Sequence, residues 1–406
     1  MTCLISIGHL DKNIFYPIAA GILSIFLKII ITHGKSKLIS NPLILGLDSS
    51  LGMSLSFILL IMYKNKNINK NNIIQKKNRN KKCDVKKNKK NNINKSIAIK
   101  LEYTNEYEKI TTNKYKFFIL TSIMDFIQTI VGVFIYFDVK INMWVFDILF
   151  MSFFSFIIFD NKIYIHHYIS TILIILMGIG IDIVAGYYIF SYGNILKMIC
   201  KFIDEVIYSL IFIINKYTIE KKFSESYEIC FFQGFFCFIL FIVLFIVLYI
   251  LNIYNMLDYF INLNLKEGII FFSVMIILFL LNIFVLITIE KINVYHVMIS
   301  IIIAHLGHHI IDLLESNNKI KSIIIIIGLC FIMLMTFIFN EIIEINCCGL
   351  SNNTKRNIML RAGLDSLINI NNEDNESSRC SEGTDLNSLK QWNGTEISRL
   401  NSESIS

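Results

Sequence analysis

The chain alternates between apolar runs long enough to cross a lipid bilayer and short polar or charged breaks. A hydrocarbon core about 30 Å thick takes roughly 20 apolar residues of helix, and ten runs approach that length. The first five lie at about Ile14–Ile31, Pro42–Tyr63, Phe117–Phe137, Ile141–Phe159 and Tyr168–Ile189. The pattern then starts again at Gly193. A sixth run leads into a charged turn from Lys216 to Glu225, a seventh follows at once, and the last three lie at about Gly268–Thr288, Val294–Leu314 and Ile323–Ile343. The expected fold is all-α, a polytopic membrane protein with ten transmembrane helices. A unit of five helices ends on the side opposite to its start, so its copy enters inverted; paired inverted repeats of this kind build secondary transporters. The two halves show no strong residue-by-residue identity.

The first run is read as a retained crossing: it is long for a signal peptide, contains Lys28, and is followed by no small-residue cleavage site. Residues 1–63 hold helices 1 and 2, and residues 116–190 hold helices 3 to 5. Residues 191–344 hold helices 6 to 10, the second repeat. Between helices 2 and 3, residues 64–115 form a Lys/Asn-rich loop of low complexity, too poor in apolar side chains to offset chain entropy, so a disordered basic loop is expected. Residues 345–406 read as a disordered tail rich in Ser, Asn and acidic residues. Cys347 and Cys348 stand just past the last crossing, where reversible palmitoylation fits. Asn352, Asn375 and Asn393 head glycosylation patterns that matter only in a lumenal tail.

Composition changes the picture in two ways. The chain has 406 residues, 54% of them hydrophobic, and a formal charge of +7 that is concentrated: residues 64–116 alone hold 17 Lys and Arg. With almost no aromatics to stack on bases, that loop fits contact with anionic lipid rather than nucleic acid. With the N-terminus in the cytoplasm, the termini and the loops on that side hold 29 Lys and Arg and the opposite loops hold 7. The positive-inside rule therefore puts both termini in the cytoplasm, of a plasma or organelle membrane. The nine cysteines form no CxxC pair, and Cys200, Cys230, Cys237 and Cys330 lie inside apolar runs, which argues against a disulfide framework or a zinc finger.

Ionisable groups inside membrane helices are expensive and mark candidate sites. Asp125, Asp147, Asp182, Asp204, Glu205, Asn282 and His305 are the candidates for substrate binding or proton coupling. Asp182 stands between Gly178 and Gly186 at helical spacing. Lys201 is three residues from Asp204 and four from Glu205, so pairing on one face is expected, with one acid in excess. Lys28 is expected to snorkel and Asp48 to lie near the membrane surface. His305, His309 and Asp312 share a face with His308 beside it.

Around Gly193, an apolar helix, the turn YTIEKKFSESYE and the segment FFQGFFCF follow in order. This arrangement resembles the drug/metabolite transporter superfamily, in particular the solute carrier 35 branch that neighbours the chloroquine-resistance-transporter-like proteins. Pro42 opening the second crossing, Asp125 early in the third and the Gly178/Gly186 spacing agree with it. The resemblance implies two inverted five-helix repeats that move nucleotide sugars, metabolites, peptides or drugs. Asp147 stands where relatives carry a Gln/Arg cluster and His305 where a basic residue is common, which disfavours an anionic nucleotide sugar.

The expected function is a secondary active transporter, not an enzyme, with no cofactor, the excess of acidic groups pointing to a cationic or zwitterionic solute, or to proton coupling. Two alternatives use His305, His308, His309 and Asp312 as metal ligands. One is a di-iron desaturase-like enzyme, since His305-Leu-Gly-His308-His309 matches an HxxHH box; the other is a divalent-metal transporter.

Overall fold

The structure, a computed structural model, describes residues 4–7, 12–34, 41–63, 65, 114–132, 143–159, 163–185, 194–252, 264–315 and 319–346. Most of the basic loop, the tail beyond Asn346, Cys347, Cys348, Gly186 and Gly193 lie outside the described residues. In chain order the helices are α1 (Phe15–Gly34), α2 (Pro42–Ser54, running on to Tyr63 past a turn at Leu55) and α3 (114–132). They continue as α4 (Asp147–Phe159, led in by a 3-10 turn at Met143–Phe146), α5 (Ile165–Ala185), α6 (Asn194–Lys222) and α7 (Ser226–Ile250). The last three are α8 (Leu265–Lys291), α9 (Val297–Glu315) and α10 (Lys319–Phe339). Among the described residues, seven helical segments are long and apolar enough to cross a membrane: those of α1, α2, α5, α7, α8, α9 and α10.

The outward faces explain what solvent the fold is built for. Phe153, Phe156 and Ile157 on α4, Ile172, Leu176 and Ile183 on α5, and Val243, Ile246 and Ile250 on α7 are all exposed. Apolar stripes of this extent suit lipid rather than water. This is a helical membrane protein.

Inside, α5 packs along α10, α1 along α8 and α9, α2 along α7 and α8, and α4 along α6. Small residues allow the closest approaches. A Cβ on Gly52 of α2 would stand 2.7 Å from the Met275 carbonyl oxygen of α8, and one on Gly234 of α7 would stand 2.8 Å from the Ser50 carbonyl oxygen of α2. α3 stacks Phe118 on Phe232 of α7 at 5.2 Å and places Phe117 against Tyr217 of α6.

One end of the bundle gathers the beginnings of odd-numbered helices and the ends of even-numbered ones. Lys114 at the start of α3 pairs with Glu228 at the start of α7, 2.6 Å apart. The Ser56 hydroxyl near the end of α2 donates to the Tyr227 carbonyl at the start of α7. Lys216, late in α6, donates to the Ile289 carbonyl near the end of α8, and Tyr295 ahead of α9 packs on Phe339 at the end of α10. The opposite end holds Lys28 of α1 against Asp312 of α9 at 3.3 Å, and Lys321 of α10 donating to the Ala185 carbonyl that ends α5.

Three features differ from the sequence reading. Two short strands, β1 (Leu4–Ile7) before α1 and β2 (Ile343–Asn346) after α10, pair antiparallel with Leu4 opposite Asn346, so regular structure runs past Ile345. The turn expected from Lys216 is mostly helix: α6 runs to Lys222, supported by the Lys216–Glu220 pair at 2.9 Å, and the chain reverses at Phe223, whose φ is 53°. Asp48, expected near the membrane surface, is packed among the helices at 1% exposure, and neither carboxyl oxygen has a hydrogen-bond partner.

Candidate functional site

The centre of interest is the contact of α4 with α6. Lys201, Asp204, Glu205, Tyr208 and Ser209 recur at i, i+3, i+4, i+7 and i+8, the spacing of one helical face. Lys201 Nζ lies 2.7 Å from Asp204 Oδ2 and 2.7 Å from Glu205 Oε1. The pairing expected from the spacing is therefore present, with both acids bound to one ammonium.

Across from this face stands Asp147, in the first turn of α4, where free backbone amides favour a negative charge. The Ser209 hydroxyl donates to Asp147 Oδ1 at 3.2 Å, while Asp147 Oδ2 is buried without a hydrogen-bond donor. The Glu205 carboxyl is also within hydrogen-bonding reach of Asp147. Asp147, Asp204 and Glu205 are all buried and share one nearby lysine. In a medium of low dielectric such an excess of carboxyls calls for a proton or another cation.

Tyr208 stands near enough to Asp147, Glu205, Asp204 and Asp125 to feel their charges. Asp125 is half-buried on α3, with Gln233 and Cys237 of α7 beside its carboxyl. Gln233 in turn accepts from Asn215 Nδ2 of α6 at 3.4 Å, and its backbone carbonyl accepts from the Ser122 hydroxyl of α3 at 3.0 Å. A polar path thus runs across α3, α6 and α7.

On the other side of the acids, Trp144 stacks on His305 of α9, with ring centroids 4.6 Å apart and planes 15° from parallel. Together with His309, Gly178, Ile181 and Leu329 these rings border a narrow crevice with no room for a water molecule. Gly178 is needed there: a Cβ at this position would come within 2.6 Å of Val145.

The remaining candidates lie elsewhere or in other roles. Asn282 donates to the Leu278 carbonyl one turn back on its own helix at 2.9 Å, which satisfies a polar group without building a site. Asp182 is buried on α5. His305, His308, His309 and Asp312 do not converge on one point. His305 lies on Trp144, His308 Nε2 faces the Ser24 carbonyl at 3.5 Å, and Asp312 takes Lys28 as well as His309. Lys28 thus has Asp312 as its counter-ion, the alternative to simple snorkelling. Sequence reasoning missed Trp144, Tyr208, Ser209, Asn215 and Gln233. Tyr208 and Ser209 were open to discovery by their helical phase with Lys201, and Gln233 by its place in FFQGFFCF.

No protein-family model matches the chain, and no curated protein matches it.

Proposed function

We propose that the chain is a secondary active transporter of the drug/metabolite type, a solute carrier that moves a small cationic or zwitterionic organic solute with proton coupling by alternating access. The observation that carries this reading is the buried group of Asp147, Asp204 and Glu205 around the single Lys201, closed by the Trp144–His305 stack. An acid-rich, water-excluded site between helices binds a proton or a cationic solute in competition, and that competition is what couples their movements. The tryptophan and tyrosine faces beside the acids add cation–π attraction for an organic ammonium.

The ten-crossing, inverted-repeat plan has independent support in the packing. The pairing of β1 with β2 returns both ends of the bundle to one face, which requires an even number of crossings. Among the described residues seven helical segments meet the length criterion, and an even count takes at least one more. The 3-10 turn and α4 together rise about 27 Å, nearly the full hydrocarbon core. Under inverted repeats, helix n of one half corresponds to helix n+5 of the other. Exchanging them turns the α1–α9 contact into α6–α4, α1–α8 into α6–α3, and α2–α8 into α7–α3, all of which occur, whereas α9–α10 maps on α4–α5, which meet through the 3-10 turn ahead of α4. It leaves α2–α7 and α5–α10 mapped on themselves. This exchange supports a pseudo-two-fold relation that residue identity alone does not carry.

The test is uptake into proteoliposomes with and without a proton gradient, across cationic, zwitterionic and nucleotide-sugar solutes, comparing the parent with Asp147→Asn and Glu205→Gln. Gradient-dependent uptake of a cation or zwitterion, lost in both variants, is expected. Nucleotide-sugar exchange indifferent to pH and to both variants would sink the acidic-site reading.

A further inference from the structure

The end of the bundle that carries β1 and β2 holds a second group with a different chemistry. His166 and His167 open α5, and the chain after α10 brings Glu341 to them; one ligand atom from each of the three lies within 4.8 Å of the other two. His166 Nε2 is 3.4 Å from Glu341 Oε1. Two ligand atoms on one tetrahedral zinc, each bound at about 2.0–2.2 Å, stand roughly 3.3–3.5 Å apart. His166 is buried; its Nδ1 makes no hydrogen bond, and its Nε2 faces the Glu341 carboxylate without hydrogen-bond geometry, an arrangement uncommon enough to call for an explanation. The two imidazole rings are tilted 35° to one another, with centroids 4.0 Å apart. Tyr164 stacks on both, and Phe339 meets His167 edge-on.

Glu341 is held by backbone that disfavours it. The Glu341 amide donates to the Ile338 carbonyl and the Ile342 amide to the Phe337 carbonyl, the bonding of a left-handed helix cap. Glu341 occupies the left-handed position with φ 57°, where glycine is the usual residue and any side chain adds strain. Strain of this kind in a non-glycine residue directs attention to what its side chain does. Here it delivers a carboxylate to two histidines.

We propose that His166, His167 and Glu341 form a binding site for a divalent transition metal of the zinc class, joining the start of α5 to the end of α10. Two imidazoles and a carboxylate are a donor set for zinc rather than for magnesium or calcium, which prefer all-oxygen shells. The free amides of α5 oppose a cation and the free carbonyls of α10 favour one, so the helix ends roughly offset each other. The Tyr164 amide donates to His167 Nδ1 at 3.1 Å. Binding through either ring nitrogen gives up that bond, so His167 turns from Tyr164 to the metal on loading. The site stands apart from Asp147 and Lys201 and does not depend on the transported solute.

The experiment uses the untagged full-length protein in detergent, stripped with a chelator and titrated with Zn²⁺, with Mg²⁺ and Ca²⁺ in parallel. Bound zinc is read by calorimetry and stability by the thermal midpoint. One zinc per chain and a raised midpoint are expected with Zn²⁺ alone. Affinity falls at least about tenfold, the minimum cost seen even for groups outside the ligand shell, in His167→Ala and Glu341→Gln. Glu341→Gly controls for misfolding: it relieves the backbone, so the metal-free midpoint is kept or raised while the zinc response disappears. His309→Ala and Asp312→Asn, in the other histidine-rich region, leave the titration unchanged. No zinc bound by the parent at micromolar concentration overturns the proposal, as does zinc binding that survives Glu341→Gly or is lost in His309→Ala instead.

Discussion

Lys201 neutralises more buried charge than any neighbour it touches. Lys201→Met leaves Asp204 and Glu205 without their ammonium and Asp147 facing them, and breaking a buried ion pair from one side costs about 3–5 kcal/mol. The thermal midpoint in detergent should fall accordingly, and Lys201→Met combined with Asp204→Asn and Glu205→Gln should recover most of the loss. An unchanged midpoint in the single variant would mean that water already screens the group. Asp48 behaves in the opposite sense. Both of its oxygens are buried without a partner, and an unsatisfied buried polar group costs about 1–3 kcal/mol. Asp48→Ala removes that cost for a small cavity, so the midpoint should rise; a fall would reveal a cation or proton held there in the folded protein.

At the level of elements, glycine decides which helices touch. Gly52→Ala and Gly234→Ala each drive a methyl group into backbone atoms of a facing helix and are expected to cost about 1–3 kcal/mol, the range for overpacking. Gly180 lies in the interior of α5, and a methyl group added there would meet nothing within 4 Å. Gly180→Ala should therefore stabilise by up to about 1 kcal/mol through helix propensity. Thermal unfolding of the three variants side by side checks the distinction, since the same substitution is expected to act with opposite sign. The order of helices along the chain reveals none of this; it follows from which face of α2 meets α7 and α8.

For the whole molecule, an even number of crossings predicts that tags at the N- and C-termini share one side of the membrane. Protease protection or impermeant labelling of sealed vesicles should treat the two alike, and opposite accessibility would remove the ten-crossing plan. The positive-inside count goes further and puts that shared side in the cytoplasm. Both expectations rest on properties summed over the chain, so neither is sensitive to any single residue.

Hydropathy alone makes the positions and extent of the long helices legible, because crossing a bilayer demands about 20 consecutive apolar residues and nothing else in a sequence imitates that for long. It also exposes the acids, since a carboxyl in an apolar run stands out whatever surrounds it. The spacing of Lys201, Asp204 and Glu205 announces their pairing for the same reason: neighbours on one helix are set by helical geometry alone. Partners on different helices are another matter. Asp147 meeting Glu205, Trp144 covering His305, Lys28 reaching Asp312 and Glu341 reaching His166 join positions far apart in the chain. Such meetings depend on helix rotation and neighbour choice, which small residues and packing set jointly. Asn282 illustrates the converse: its amide has the look of a site group but finds its acceptor within its own helix. Local periodicity determined what each segment is; the association of the helices determined what its side chains can do.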